Sequence, residues 1–273
     1  PVPADEIARV ARDSDVALVT IGRRSGEFRD RTLEGDFELT DVEKKLLSDV
    51  ASAFRARNKK LLVVLNVGGV IETVSWRDGA DAILLAWQPG QEAGHAIADV
   101  LTGRTAPSGK LATTFPVSWK DVPSSANFPG KVLLGPDPNA RNFMTGDRAA
   151  EVVYQDDIWV GYRHFATKRV KTAYPFGFGL SYTRFDYSDL KLSGAEFTGE
   201  LTASVTITNK GAAAGREVVE LYLSAPGKTL PKPALELRAF AKTKLLQPGE
   251  SQRLSFSLVP RDLASFDSAS SSW

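Results

Sequence analysis

The 273-residue chain sets 34 Lys and Arg against 33 Asp and Glu, a formal net charge of +1. That balance offers no broad field for nucleic acid or an anionic membrane surface, and 42% hydrophobic with 25% charged residues is globular composition rather than disorder. The absence of Cys excludes disulfides, thiol catalysis and thiolate metal sites while leaving the compartment open.

In chain order, the N-terminal stretch Pro1-Val2-Pro3-Ala4 has neither a basic region nor an apolar core, so no signal peptide is expected. Ala4–Arg12 places Ile7, Val10 and Ala11 at helical spacing, and Val16–Ile21 is a continuous apolar strand. Thr40-Asp41-Val42-Glu43 has the form of a capping box, with Glu43 reaching back to a helix capped by Thr40. From there Val42, Leu46, Leu47, Val50 and Phe54 form an apolar stripe, and basic Arg55, Arg57, Lys59 and Lys60 suit a helix C-terminus. Leu61–Leu65 and Ile83–Ala86 read as strands buried on both faces, and His95–Leu101 as a short helix closed by Gly103. The longest apolar runs, Leu61–Val67 and Ala82–Trp87, are too short to span a bilayer. The expected fold over residues 1–120 is a three-layer α/β sandwich with a mostly parallel sheet.

Residues 121–184 are expected to be an irregular connection, because Pro123, Pro129, Gly130, Gly135, Pro136 and Pro138 break every period near its start. Residues 185–273 turn all-β: Phe185–Leu192, Leu201–Thr208, Glu217–Leu223, Glu236–Lys242 and Arg253–Leu258, separated by turns such as Asn209-Lys210-Gly211 and Pro248-Gly249-Glu250. They suggest a sandwich of fibronectin type III kind, truncated at its end. A start without Met and a stop at Ser270-Ser271-Ser272-Trp273 suggest breaks in a longer protein.

One polar cluster stands out: Arg23-Arg24-Ser25-Gly26-Glu27-Phe28-Arg29-Asp30-Arg31, directly after the first strand. Open α/β sheets place their sites at such carboxyl ends. By its residues alone the cluster is either a solvated charged loop or a site presenting Glu27. It lacks the spacing of a phosphate-binding loop. Among other candidates, Asp156 and Asp157 read as structural polar residues that help dock domains, Trp76, Trp87 and Gln88 as packing and turn residues, and His95 as a surface or interface histidine. Lys110 follows Gly109 without the glycine-rich approach that phosphate binding needs. His95 and His164, the only two His, cannot make a multi-histidine metal site by themselves; neither metal nor cofactor is expected.

The cluster resembles the S-G-E-G-x-D-R loop of glycoside hydrolase family 3. Further segments are similar to the same family in the same order. They are Leu65-Asn66-Val67-Gly68, Val74-Ser75-Trp76, Trp87-Gln88-Pro89-Gly90-Gln91-Glu92-Ala93-Gly94, Pro107-Ser108-Gly109-Lys110-Leu111, the Tyr154–Arg163 stretch and the Tyr174–Tyr182 stretch. The resemblance implies the second and third domains of a three-domain retaining β-glucosidase acting on terminal β-linked glucose. It implies Glu27 as general acid/base; its neighbours Ser25 and Phe28 are expected to bind substrate. The nucleophile would sit on an N-terminal barrel that no segment here resembles, supplied by the same protein or as a separate chain; no nucleic acid or membrane partner is implied. The family's usual Gly after the glutamate is Phe28 here, a ring that stacks on the leaving group or tucks into a domain interface. Arg29 and Arg31 are expected to pair with Asp30 or the neighbouring domain. Docking of a barrel would leave an exposed apolar patch beside the Glu27 loop and the Trp87–Gly90 turn. A β-xylosidase, a natural-product glycosidase, or a non-catalytic carbohydrate-binding or scaffold module are the alternatives.

Overall fold

The computed structural model describes residues 2–23, 31–128, 130–136 and 148–273. Its elements in chain order begin α1 (Ala4–Asp13), β1 (Val16–Gly22), α2 (Asp41–Arg55), β2 (Lys60–Asn66), β3 (Ala82–Leu85) and α3 (Ala93–Leu101). Short elements follow: β4 (Phe115–Pro116), β5 (Lys131–Pro136), β6 (Arg148–Glu151), α4 (Tyr162–Lys168) and β7 (Thr172–Tyr174). The last are β8 (Phe185–Leu192), β9 (Leu201–Asn209), β10 (Val218–Leu223), β11 (Glu236–Lys242), β12 (Ser251–Leu258) and α5 (Pro260–Leu263). They form two compact units that interleave along the sequence: residues 1–96, 114–160 and 171–174, and residues 97–113, 161–170 and 175–273.

In the first unit a parallel sheet runs in the order β1-β2-β3, with Val16 opposite Lys60 and Leu62 opposite Ala82. Helix α2 makes the crossover from β1 to β2, and its start obeys the expected capping box. Thr40 Oγ1 accepts from the Glu43 amide, and the Glu43 carboxylate accepts from the Thr40 amide. Leu47, Val50 and Phe54 of α2 pack with Ile7 and Ala11 of α1 onto Ala17, Ile21, Leu61, Val63 and Leu65 of the sheet. Val42 was expected in that stripe but is 56% exposed. At 3.6 residues per turn it lies about 140° around the helix from Leu47. Strand β3 also departs from expectation: Ile83, Leu84 and Leu85 are only half buried, because β3 is an edge strand rather than a central one. On β1, the other edge, Ala17 and Ile21 are buried, whereas Val16 and Leu18 are 48% and 53% exposed. Exposed apolar surface therefore runs along β1. At the Trp87–Gly90 turn, where a patch was expected, Trp87 is half buried and packs against the core.

The 121–184 stretch, expected to be irregular, holds short ordered elements. Antiparallel β5 and β6 pair Lys131 with Glu151, and β7 pairs with β4. Gly130 makes the β5–β6 approach possible: at φ +94° its missing side chain leaves room for the Glu151 carbonyl, 2.5 Å from where a Cβ would sit. Gly and Pro punctuated the sequence signal here, but strands this short need no long period.

The second unit contains sheets of order β12-β9-β8 and β10-β11, both antiparallel. Their strands fall where the alternation placed them, and Val205, Ile207, Val219, Leu246 and Phe256 form the core. Asn209, fully buried, organises the first turn. Its amide nitrogen donates to the Ala213 and Leu246 carbonyls, and its oxygen accepts from Thr183 Oγ1 and the Gly211 amide. Residues 97–113 and 175–182 fold with this unit. The Leu111 amide donates to the Phe178 carbonyl, and Lys110 Nζ pairs with Glu217 at 3.0 Å while donating to the Gly179 carbonyl.

Candidate active site

The carboxyl ends of the three parallel strands lie side by side. The Arg23 amide donates to the Asn66 carbonyl and the Ala86 amide to the Leu65 carbonyl, continuing the ladder past β1 and past β3. From this edge leave the stretch after β1, the Val67–Ile71 stretch after β2 and the Trp87–Gly90 turn after β3. Outside the carboxyl ends of its strands is where an open α/β sheet presents a site.

Ser25, Glu27 and Phe28, with Arg24, Gly26, Arg29 and Asp30, lie outside the described residues. Their flanks are built in detail. Arg23, its side chain 8% exposed, donates from both terminal nitrogens to the Glu43 carboxylate at 2.8 Å each. Its Nε donates to the Asp36 carbonyl at 3.0 Å. Arg31 Nε donates to Asp36 Oδ1 at 2.8 Å, its Nη2 lies 2.7 Å from the same oxygen, and its Nη1 donates to the Val70 carbonyl at 2.8 Å. Among the described residues Arg31 thus pairs with Asp36, a partner the sequence did not suggest; the expected partner Asp30 lies outside them. The reason is local: Gly35, at φ +73°, turns the chain back so that Asp36 sits against both arginines.

Each guanidinium is therefore held by a carboxylate of its own, Glu43 for Arg23 and Asp36 for Arg31. Burial pushes the Glu43 carboxyl up, but its hydrogen bonds to Arg23 and Thr40 outweigh this and hold it below the usual glutamate range. Glu43 had a visible signal as the capping-box residue, but its second role as the Arg23 partner did not. Asp36, Gly69 and Val70 carried no sequence signal at all.

Glu72 is a further residue that the sequence did not single out. It is 8% exposed, and its carboxylate accepts from the Ser75 amide and from Ser75 Oγ, while the Trp76 indole donates to the Glu72 carbonyl. This cap fixes the turn between β2 and β3 and buries Trp76 in the core, in keeping with its reading as a packing residue.

Trp87 packs as expected, its ring 6.1 Å from that of Phe115, but its backbone is unexpected. At φ +54° it occupies the left-handed region that a bulky residue rarely adopts. Asp156 and Asp157 form a turn, in which the Asp156 carbonyl accepts from the Trp159 amide and Asp157 is left-handed at φ +51°. His95 is exposed and pairs with Glu92 at 2.7 Å. Lys110 lies in the second unit, in its pair with Glu217. Among the described residues no group of three or more His, Asp or Glu is arranged to hold a metal ion.

Residues 2–182 match the Glycosyl hydrolase family 3 C-terminal domain, and residues 217–273 match the Fibronectin type III-like domain. Beta-glucosidase A of Butyrivibrio fibrisolvens is 38% identical over 97% of this chain, and a beta-glucosidase of Rhizobium radiobacter 39% over 96%. The solved structure of beta-glucosidase 3B from Thermotoga neapolitana in complex with α-D-glucose is 47% identical, with a TM-score of 0.87 over 97% of this chain. The chain spans about a third of these proteins: 34%, 30% and 35% of their respective lengths. The parallel α/β sheet, the antiparallel strands that follow it and the match over residues 2–182 agree: this chain belongs to glycoside hydrolase family 3, in the C-terminal region of that family.

Proposed function

We propose that this chain is the C-terminal part of an exo-acting, retaining β-glucosidase that removes terminal β-linked glucose from oligosaccharides or glucosides. Glu27 is its general acid/base, and Ser25 and Phe28 are substrate-binding residues, Phe28 on the leaving-group side. An N-terminal barrel supplies the nucleophile. What carries the reading is the sequence position of Ser25-Gly26-Glu27, immediately beyond the carboxyl end of β1, in a chain of this family.

The chemistry requires two carboxyl groups roughly 5–5.5 Å apart. One attacks the anomeric carbon while Glu27 protonates the departing oxygen. The Glu27 carboxylate then takes a proton from the water that releases glucose. The acid must be protonated in the ground state, so a bare guanidinium nearby would work against it. The pairing of Arg23 with Glu43 and of Arg31 with Asp36 supports the role by neutralising both cations.

The test is Glu27→Gln and Glu27→Ala in the complete enzyme. Hydrolysis of unactivated glucosides is expected to fall by about 10²–10⁴-fold, with far less effect on the first step for substrates carrying very good leaving groups. Azide, which needs no general base, should rescue Glu27→Ala and yield a β-glycosyl azide. Near-normal turnover of a cellobiose-like substrate by Glu27→Ala would assign the acid to another residue. The 273-residue chain alone is expected to show no hydrolysis, since an acid without a nucleophile cannot complete the reaction.

A further inference from the structure

We infer that Arg23 and Arg31 form a two-post clamp, closed on Asp36, that sets where the chain leaves and rejoins the sheet edge on either side of residues 24–30. The two arginines are positioning residues for the acid carried by that stretch; this role rests on the reading of Glu27, whereas the clamp itself does not.

Four observations converge. First, the two posts share one anchor: the Asp36 carbonyl accepts from Arg23 and the Asp36 carboxylate accepts from Arg31. Moving either post therefore disturbs the other. Second, each post is also tied elsewhere. Arg23 makes a bidentate pair with Glu43, itself locked in the α2 capping box, and Arg31 reaches the Val70 carbonyl in the stretch after β2. Bidentate guanidinium–carboxylate pairs fix geometry as well as supplying energy.

Third, Gly69 is cut to fit Arg31. A Cβ at Gly69 would sit 2.4 Å from Arg31 Nη1, so the absence of a side chain there is what lets the guanidinium reach Val70. Fourth, the anchor is itself immobilised. Phe37, next to Asp36, is 6% exposed, and its carbonyl accepts from the Glu72 amide at 2.7 Å. Loop sites are precise only when the residues around them are held by packing and hydrogen bonds, and these contacts supply that support.

The first experiment uses the 273-residue chain and trypsin, which cuts after Arg24 and Arg29. Proteolysis of a folded protein reports the population of locally opened states. Asp36→Ala removes the carboxylate anchor, and Gly69→Ala pushes Arg31 off its seat without changing any charge. Both should speed cleavage after Arg24 and Arg29 on the order of tenfold, the consequence of losing about one charge-assisted hydrogen bond. Lys45→Ala, which breaks only an exposed pair with Asp49, should leave the rate unchanged. Circular dichroism and the thermal midpoint show whether each variant folds, and Gly69→Ala retains every ionic partner should Asp36→Ala fold poorly. Equal cleavage of wild type and both variants would overturn the clamp.

The second experiment uses the complete enzyme. A misplaced acid lowers kcat with little change in KM, most of all for poor leaving groups. For Asp36→Ala and Gly69→Ala, kcat on unactivated glucosides should fall on the order of tenfold, with aryl glucosides bearing good leaving groups spared. A loss equal for both substrate classes would overturn the positioning role, since that is what a smaller folded fraction produces. If Glu27→Gln keeps its activity, the acid assignment fails and the positioning role fails with it, while the cleavage rates still decide whether the clamp exists.

Discussion

Lys110→Met offers the sharpest quantitative test of the second unit. Lys110 Nζ is 3.0 Å from Glu217 Oε1, with side-chain exposures of 20% and 10%, and it donates to the Gly179 carbonyl. Glu217 is fixed from its own side as well, since its Oε1 accepts from the Val218 amide and its amide donates to Thr243 Oγ1. Removing the ammonium leaves a carboxylate that water can scarcely reach, held in place by its backbone. Breaking one partner of such a pair costs about 3 kcal/mol, towards the lower end for buried pairs because a tenth to a fifth of each side chain still meets solvent. At about 2–4 °C per kcal/mol for a chain of this order of size, the thermal midpoint should drop by roughly 6–12 °C. The double variant Lys110→Met/Glu217→Leu removes both charges and should recover most of the loss, to within about 1.5 kcal/mol of wild type. Urea denaturation of wild type, both single variants and the double variant completes the cycle. A cost below about 0.5 kcal/mol for Lys110→Met, the range of a surface substitution, or a double variant as unstable as the single, would mean that the pair with Glu217 does not hold this unit together.

Other outcomes follow from the same physics. Phe54→Ala empties a site that is 2% exposed between α2 and the sheet, and should cost about 3–5 kcal/mol in denaturant titration. Asn209→Ala removes a fully buried amide that serves two carbonyls and two donors; a loss of about 3 kcal/mol is expected, and Asn209→Asp should not restore it because a carboxylate cannot donate. Glu43 has a lowered pKa in the folded state, so its contribution is present above its unfolded value near 4.5 and fades as pH falls through the folded value. Acid titration of Glu43→Gln should accordingly show a stability deficit at pH 7 that shrinks as pH falls through the lowered folded value, below the ordinary 4.5; a deficit independent of pH would mean that the carboxylate's charge contributes nothing.

Much of this chain was legible because its signals are local. The Thr40 and Glu43 capping box, the apolar stripe of α2, the β1 and β2 runs and the alternation of β8 to β12 each depend on residues within a turn or two of one another. Local hydrogen bonding and side-chain period decide such elements before any tertiary contact forms. The Ser25-Gly26-Glu27 cluster was equally visible, because a polar run after an apolar strand needs no partner to be noticed.

What the tertiary structure decided depends on residues brought together from separate stretches. Nothing beside Asp36 in sequence announces that it would anchor both Arg23 and Arg31, and Gly69 could be recognised as necessary only once Arg31 was seen over it. Strand order left β3 at an edge and so only half buried, although its run of Ile83, Leu84 and Leu85 is as apolar as that of β2. Lys110, in a stretch that reads as part of the α/β region, folds instead with the antiparallel strands through Glu217. Propensity and period act along the chain, whereas burial and ion pairing act across space; the first can be read from neighbours, and the second exists only after the chain has closed on itself.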